Sequence, residues 1–133
     1  MGKIKKQVLN DNPNGISWNP AGQNNAVTVQ YQLDNDHLQS AAFLAKSLSD
    51  SNRLRILLLI STEKKSVSAI VEELDLSQPL VSHHLKELKR SLLVKVEREG
   101  PFIYYELSDA RILDVLRILS DVATDLLSSR KTF

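Results

Sequence analysis

Residues 78–90 combine hydrogen-bonding and basic side chains at the spacing of one helix face. Val81, Leu85 and Leu88 recur at intervals of three and four and form the opposite, apolar face, with His84 at its edge. The polar members of the segment are Gln78, Ser82, His83, Lys86, Lys89 and Arg90. Amide, hydroxyl and imidazole groups can bond to base edges in a DNA major groove, whereas Lys and Arg suit phosphates. The pattern favours nucleic-acid contact.

A solvated face of an ordinary helical bundle would show the same pattern. The acidic Glu87 interrupts the basic stripe and slightly favours that alternative. The elements on either side of this segment favour nucleic-acid contact. Ser77 is a good N-cap and Pro79 is tolerated in a first helical turn, so a helix begins here. A short helix over 68–74, capped by Ser68, precedes it by three residues, which is helix-turn-helix spacing.

A β-hairpin is predicted directly after this helix. Residues 93–98 and 102–107 favour strand, and Glu99-Gly100-Pro101 separates them. Most of the apolar strand residues are typical of a core, which leaves Lys95, Arg98 and the tip as contacts. The hairpin is either a wing that lies over the DNA backbone or an element that only closes the core.

Three further helices complete the predicted domain. The apolar periodicity changes from two to 3.6 near residue 36 and predicts helices over about 36–48 and 51–61, with capping residues at 49–52 between them. Ser108-Asp109 caps a last helix that runs to about Ser129. The fold class is mainly α with a β-hairpin wing, in the order helix-helix-helix-helix-hairpin-helix. We expect this domain to span residues 36–129.

Residues 1–35 differ in composition from the rest of the chain. They hold three of the four glycines and two of the four prolines, with turn signals at 12–15 and 19–22. Residues 26–33 alternate as a strand does. The segment is either a flexible tail or an extended arm packed on the domain or on another subunit. Residues 130–133 are a C-terminal tail.

Composition excludes several classes of protein. The chain has 133 residues, no cysteine and a formal net charge of +1, which excludes a disulfide scaffold and any thiolate metal site or thiol nucleophile. The longest apolar run, Ile56–Ile60, is far shorter than the about 20 residues of a membrane span. The basic N-terminus continues into polar residues, so we expect no secretory signal. With so balanced a charge, DNA binding requires basic residues concentrated on one face.

Three segments resemble the ArsR-type winged helix-turn-helix repressors. Residues 44–57 are similar to the opening helices of that family, residues 93–107 to its wing, and Leu76-Ser77-Gln78-Pro79-Leu80-Val81-Ser82-His83-His84-Leu85-Lys86-Glu87-Leu88 to its recognition helix. The resemblance covers about residues 36–120, with all three segments in register. It implies a cytoplasmic, sequence-specific transcriptional regulator that is no enzyme, binds double-stranded DNA and is most simply a repressor. The implied DNA-binding residues are Ser77, Gln78, Ser82, His83, Lys86, Lys89, Arg90, Lys95 and Arg98.

The rival hypothesis is a winged helix that contacts proteins and no longer binds DNA. A protein-binding surface should be more apolar than Gln78, Ser82, His83 and Lys86 are. An enzyme is a distant third, because the chain has no Gly-rich phosphate loop and no nucleophile spaced to suit the histidines.

One departure from the family concerns the exit of the recognition helix. The family usually has glycine there, which serves a left-handed C-cap, and this chain has Leu92. Because a leucine is strained in that conformation, we expect the helix to end differently and the wing to tilt.

Metal sites known in the family are not matched by this sequence. One type uses cysteines on the helix before the recognition helix, and this chain has none. The other type uses an Asp and a His on the last helix plus two downstream ligands. The corresponding residues here are Asp109, Arg111, Val122 and Asp125, which cannot complete the four ligands of zinc. We expect no metal and no cofactor, with His83 as a groove contact and His84 as a packing and hydrogen-bonding residue.

The last helix is too apolar for the surface of a monomer. Its polar residues form one narrow stripe, whereas a monomer's surface helix needs an apolar stripe only about 100° wide. We expect a homodimer that presents two recognition helices to a palindromic operator. The predicted interface residues are Leu38, Ala42, Ile112, Leu116, Leu119, Val122 and Leu126. The alternative is a monomer whose last helix is covered by the N-terminal arm. The sequence specifies neither an effector nor an operator.

Overall fold

The computed structural model describes residues 33–130, which form five helices and one two-stranded sheet. The elements are α1 (Asn35–Ser47), α2 (Ser51–Ile60), α3 (Val67–Leu74), α4 (Gln78–Arg90), β1 (Val94–Glu99), β2 (Phe102–Leu107) and α5 (Arg111–Ser128). The predicted order of elements is confirmed, with boundaries that differ by a residue or two. Most of the predicted N-terminal arm and the end of the C-terminal tail lie outside the described residues. No helix in the described part is long and apolar enough to cross a membrane.

The chain divides between Leu38 and Gln39 into two units. In the first, the structure describes residues 33–38, where the Asp34 carboxylate accepts the backbone N–H of His37 at 2.9 Å. The same carboxylate oxygen lies 2.6 Å from Nδ1 of the His37 ring. These hydrogen bonds hold the pKa of Asp34 below its usual value.

The core of the second unit lies where α2, α3 and α4 meet the sheet. The buried apolar side chains are Leu48, Ile56, Leu57, Ile60, Ile70, Val81, Leu85, Leu88, Leu93, Val94 and Leu116. Those of α4 are the residues that the periodicity assigned to its apolar face. Their burial fixes the rotation of α4 about its own axis.

Side-chain caps fix where three of the helices begin. Asp50 accepts the backbone N–H groups of Asn52 and Arg53 at 2.9 and 3.0 Å and caps α2. The hydroxyl of Ser77 accepts from Leu80 at the start of α4, as predicted. The prediction of Ser68 as the cap of α3 is wrong, because the helix begins one residue earlier and Ser66 caps it.

The start of α5 also differs from the prediction. Ala110 occupies the N-cap position and makes no side-chain hydrogen bond. Asp109 accepts the backbone N–H of Arg111 at 2.8 Å instead, so the predicted cap acts one residue before the cap position.

The hairpin is attached to the helical part by backbone hydrogen bonds. β1 and β2 pair antiparallel, from Val94 opposite Leu107 to Glu99 opposite Phe102. Lys65, in the loop before α3, adds a short bridge to β2, with N–H···O distances to Tyr105 of 3.0 and 2.8 Å in the two directions. These two hydrogen bonds therefore attach the hairpin to the loop that leads into α3.

Leu92 adopts the left-handed conformation, with φ of 64°. The N–H of Leu93 donates to Leu88 O at 3.0 Å and that of Leu92 to Lys89 O at 3.1 Å, which is the Schellman pattern that glycine usually provides. The expectation that the helix ends differently is wrong. Leu93 and Leu88 are both buried, and their packing holds Leu92 in a conformation that costs roughly 1–2 kcal/mol for an L-residue.

Replacing Asp50 by alanine tests the cap of α2. At pH 7 we expect Asp50→Ala to lower the free energy of unfolding by about 1 kcal/mol, because two backbone N–H groups lose their acceptor. The hydrogen bonds from Arg53 and Asn52 and the charge of Arg53 help to lower the pKa of Asp50 from 3.8. The carboxylate therefore stabilises the fold above that value, and the difference between variant and wild type should shrink as the pH falls below it.

Urea unfolding at pH 7 and at pH 3 measures both parts of this expectation. Glu72→Ala, which removes an exposed carboxylate of α3, is the control. An Asp50→Ala deficit that stayed constant down to pH 2 would contradict the role of the ionised cap.

Candidate nucleic-acid interface

α4 presents its polar residues together on the side away from the core. Gln78, Ser82, His83, Lys86, Lys89 and Arg90 are exposed, whereas Val81, His84, Leu85 and Leu88 are buried. The structure thus brings the predicted base and phosphate contacts of this helix onto one surface. Ser77 is also exposed at the helix start, with its hydroxyl engaged as the N-cap.

The turn before α4 is fixed by backbone geometry. Asp75 ends α3 in the left-handed conformation with φ of 52°, and its N–H donates to Val71 O. Arg55 of α2 donates from Nη2 to the carbonyl of Leu74 at 3.0 Å and binds the C-terminal end of α3. These contacts set the direction in which the chain enters the recognition helix.

His84 joins α4 to the start of α2. Its side chain is 4% exposed, and Nε2 lies 3.8 Å from Oδ1 of Asp50. Neither ring nitrogen has a hydrogen-bond partner within the part of the chain that is described. The predicted packing role is therefore observed, whereas the predicted hydrogen bond is not.

Burial is the main cause that lowers the pKa of His84 from 6.5. The carboxylate of Asp50 opposes this shift, and the positive charges of Arg53 and His83 add to it. The ring is therefore neutral at pH 7. His83 is exposed beside it, with the two ring centroids 5.6 Å apart.

The wing carries carboxylates as well as the predicted basic contacts. Lys95 pairs across the sheet with Glu106 at 3.3 Å, so its ammonium group is already partly engaged. Arg98 is exposed and makes no salt bridge within residues 33–130. Of the two predicted wing contacts, Arg98 is the better placed to reach a phosphate.

Lys64 pairs with two carboxylates of β1. Its Nζ lies 2.9 Å from Oε2 of Glu97 and also bonds to Glu99, and it stands 5.5 Å from the centroid of the Tyr104 ring. The hydrogen bonds to Glu99 and Glu97 raise the pKa of Lys64. Lys64 was not predicted as part of the site, because no local pattern connects a loop lysine to a strand more than thirty residues later.

A cation occupies the position where the family's last-helix metal site has a histidine. Arg111 forms a bidentate pair with Asp109, with Nη2–Oδ2 and Nε–Oδ1 distances of 2.8 and 3.1 Å. The hydrogen bonds from Arg111 lower the pKa of Asp109 to about 2. The described residues contain no group of three or more His, Asp or Glu side chains that could hold a metal ion.

The predicted interface residues of α5 are mostly exposed in the single chain. Leu119, Val122 and Leu126 are exposed, and Ile112 is half-buried. Leu116, also predicted for the interface, is buried in the core of its own chain. Leu38 and Ala42 of α1 are exposed.

A family model described as "Bacterial regulatory protein, arsR family" matches residues 50–96, which run from the cap of α2 into β1. The chain is 36% identical over 81 residues to the arsenical resistance operon repressor of Staphylococcus aureus, a match that covers 61% of this chain and 78% of the relative. The chain belongs to the ArsR family. It is a DNA-binding transcriptional regulator with a winged helix-turn-helix domain.

Two further proteins extend the comparison. A transcriptional activator of Vibrio cholerae is 32% identical over 79 residues, which are 59% of this chain and 73% of the relative. The homodimeric winged helix-turn-helix domain of a possible ArsR-family regulator from Mycobacterium bovis, solved by NMR, superposes with a TM-score of 0.62 and 27% identity. That match covers 77% of this ArsR-family chain and 96% of the other.

The buried histidine makes the stability of this regulator depend on pH. Because the folded-state pKa of His84 is lowered, the unfolded chain binds a proton that the folded chain does not, once the pH falls below 6.5. We expect the free energy of unfolding to decrease from pH 7.5 to pH 5, with a contribution from this one site of at most about 1.4 kcal/mol per pH unit. His84→Leu should remove that contribution.

Chemical unfolding at half-unit pH steps gives the slope for each variant. The control is Ser82→Ala on the same helix, which changes no titratable group and should keep the wild-type slope. Equal slopes for His84→Leu and wild type would show that the buried ring does not titrate differently in the folded chain.

Proposed function

We propose that this chain is a repressor that binds a palindromic operator as a homodimer, without a metal ion or cofactor. The observation that carries the proposal is the outer face of α4. Its polar and basic side chains are exposed together, while the opposite face is locked in the core. The family membership and the repressor from S. aureus support it.

The chemistry of each residue indicates its role. Gln78, Ser82 and His83 contact base edges, since their side chains can both donate and accept hydrogen bonds. The hydroxyl oxygen of Ser77 caps the helix, and its O–H group can donate a hydrogen bond to a phosphate. The remaining phosphate contacts are Lys86, Lys89, Arg90, Lys95 and Arg98. Lys95 contributes less than Arg98, because Glu106 holds its ammonium group.

The dimer forms through the exposed apolar face of α5 with help from α1. The interface consists of Leu38, Ala42, Ile112, Leu119, Val122 and Leu126. The exposed side chains of Val115 and Ile118 enlarge its α5 part. An exposed apolar face such as that of α5 marks an interaction site. The homodimeric domain from M. bovis supports the assembly. Two-fold symmetry then presents the recognition helices to two equivalent half-sites.

Regulation in this chain does not use a metal ion. Asp109 already has a permanent cation as its partner in Arg111, which removes one ligand and repels a second cation. We assign no enzymatic activity to the chain, and we place it in the cytoplasm with the DNA that it regulates.

A protein-binding winged helix remains the second candidate for the α4 surface. Its polar outer face disfavours that alternative, because the centre of a protein interface is depleted of charged residues. The V. cholerae activator shows that relatives regulate in both directions.

Alanine substitutions on α4 and the wing test the division between base and phosphate contacts. We expect Gln78→Ala and His83→Ala each to weaken binding to the selected operator by about 1–3 kcal/mol, with little change for unrelated DNA. Lys86→Ala and Arg98→Ala should weaken binding to every sequence and reduce the slope of log K against log salt by about 1 each. The operator is first obtained by selection from a random DNA pool.

Lys46→Ala, which removes an exposed lysine of α1, is the control and should leave both affinities unchanged. Undiminished sequence preference in Gln78→Ala and His83→Ala would refute the assignment of the base contacts. Failure to enrich any DNA sequence would favour the protein-binding alternative.

A charge on the apolar face of α5 tests the dimer. Leu119 is 49% exposed in the single chain, so Leu119→Glu should cost the monomer fold only about 0.5 kcal/mol or less. In an apolar interface the same change buries an unpaired charge, which costs several kcal/mol. We expect Leu119→Glu to be a folded monomer that no longer binds the palindrome specifically, as light scattering and gel shifts can show.

Arg117→Glu places the same acidic residue on the polar stripe of α5 and should remain dimeric. A dimeric Leu119→Glu variant would move the interface away from this face. A wild-type chain of 15 kDa at micromolar concentration would refute the dimer altogether.

A further inference from the structure

Of the three leucines in α4, Leu80 is the one that lies at the surface. It is 36% exposed, whereas Leu85 and Leu88 are 1% and 0% exposed and belong to the core. Single exposed leucines are common on protein surfaces and by themselves mark nothing. This leucine lies in the first turn of the recognition helix, two residues after Gln78 and three before His83, among side chains that we assign to base edges. It therefore needs a role that suits an apolar group within a polar surface.

The direction of the Leu80 side chain is fixed before any DNA is bound. Its backbone N–H donates to the capping hydroxyl of Ser77 at 3.4 Å, and the N–H of Val81 donates to the Ser77 carbonyl at 3.0 Å. Pro79 precedes it, and the proline ring restricts the backbone of the first turn. The side chain of Val81 is completely buried and holds this turn against the core. A contact made by Leu80 therefore loses little backbone entropy on binding.

An apolar side chain can recognise one group in the DNA major groove. Every base pair presents hydrogen-bond donors or acceptors there, and thymine adds an apolar group, the methyl at C5. Against any other base edge a leucine covers polar atoms without replacing the hydrogen bonds that they make to water. Contact with thymine is favourable, because the methyl group and the leucine are removed from water together. An exposed leucine at the start of a recognition helix is thus suited to thymine.

We propose that Leu80 contacts the 5-methyl group of one thymine in each half-site of the operator, an inference that rests on the proposed function. Residues near the N-terminal end of a recognition helix are the ones that reach base edges. Gln78 and Leu80 are two residues apart, so their side chains point about 160° apart around the helix axis and reach different bases. The first turn of α4 therefore combines a hydrogen-bonding contact with an apolar one, and each half-site contains a thymine at a fixed position.

Replacing thymine by deoxyuridine removes only the 5-methyl group and tests the contact directly. The operator is obtained by selection from a random DNA pool, and each thymine of one half-site is replaced in turn, together with its symmetry mate. We expect one such pair of replacements to raise the dissociation constant of the full-length chain about 15-fold, since each of the two methyl groups contributes a factor of about four. Fluorescence anisotropy of labelled duplexes measures the constants. This step uses the wild-type chain and does not depend on the folding of a variant.

Substitutions at Leu80 assign the methyl contact to this side chain. Leu80→Ala should weaken binding to the thymine operator by a similar factor, and the same deoxyuridine replacement should then change its dissociation constant by less than about twofold. Leu80→Met keeps a long apolar side chain and should retain most of the sensitivity to uracil. The matched control, Leu58→Ala, removes an exposed leucine of α2 and should bind both duplexes as wild type does. A cooperative thermal transition shows that each variant is folded.

The outcomes separate this inference from the proposed function. The methyl contact is wrong if deoxyuridine leaves wild-type affinity unchanged at every position, or if the selected half-site contains no thymine. Gln78→Ala and His83→Ala would still lose sequence preference in that case, so the proposed function would stand. An equal effect of uracil on Leu80→Ala and on wild type would also overturn the contact, because the effect would then come from DNA shape or from another side chain. A pool from which no sequence is enriched would overturn the proposed function, and this inference with it.

Discussion

Burial of one face of α4 is the constraint on which the proposed DNA-contacting surface of that helix depends. Val81, Leu85 and Leu88 are almost completely buried. Their packing against α2 and α3 holds the helix at one rotation about its axis. Successive residues differ by about 100° around a helix, so that rotation also decides which side chains face outward. Rotating α4 about its axis by the angle between two successive residues would place polar side chains such as Ser82 in the core. Strong apolar packing on the inner side is what presents His83 and Lys86 outward.

Local patterns predicted the helices and the buried face of α4, with one-residue or two-residue errors in the caps of α3 and α5, and they failed where distant segments meet. The periodicity of α4 and the caps at Asp50 and Ser77 can be predicted because each signal lies within a few residues. Leu92 was mispredicted because the local rule favours glycine, whereas the buried pair Leu88 and Leu93 requires the left-handed turn whatever residue occupies it. Tertiary packing decides a conformation that local preference opposes.

The wing shows the same limit for the candidate site. Lys95 and Arg98 are equivalent as basic strand residues in the sequence, but the register places Lys95 opposite Glu106 and Arg98 opposite Ile103. Lys95 is therefore paired with a carboxylate, and Arg98 is not. Lys64 reaches Glu97 and Glu99 together because they are two residues apart on one face of β1, and the bridge from Lys65 to Tyr105 holds the loop beside the hairpin. Register was not predictable here, because both strands are mixed in polarity.

These pairings explain how a nearly neutral chain can have a positive surface for DNA. The formal net charge is only +1, so the total charge supplies almost no attraction to a polyanion. Lys64 pairs with both Glu97 and Glu99 on the strand that carries Arg98, and it offsets one of their two negative charges, which repel phosphates. Lys86, Lys89 and Arg98 make no salt bridge within the described residues and remain available. Counterion release depends on the phosphates contacted and not on total charge, so affinity should follow these few side chains.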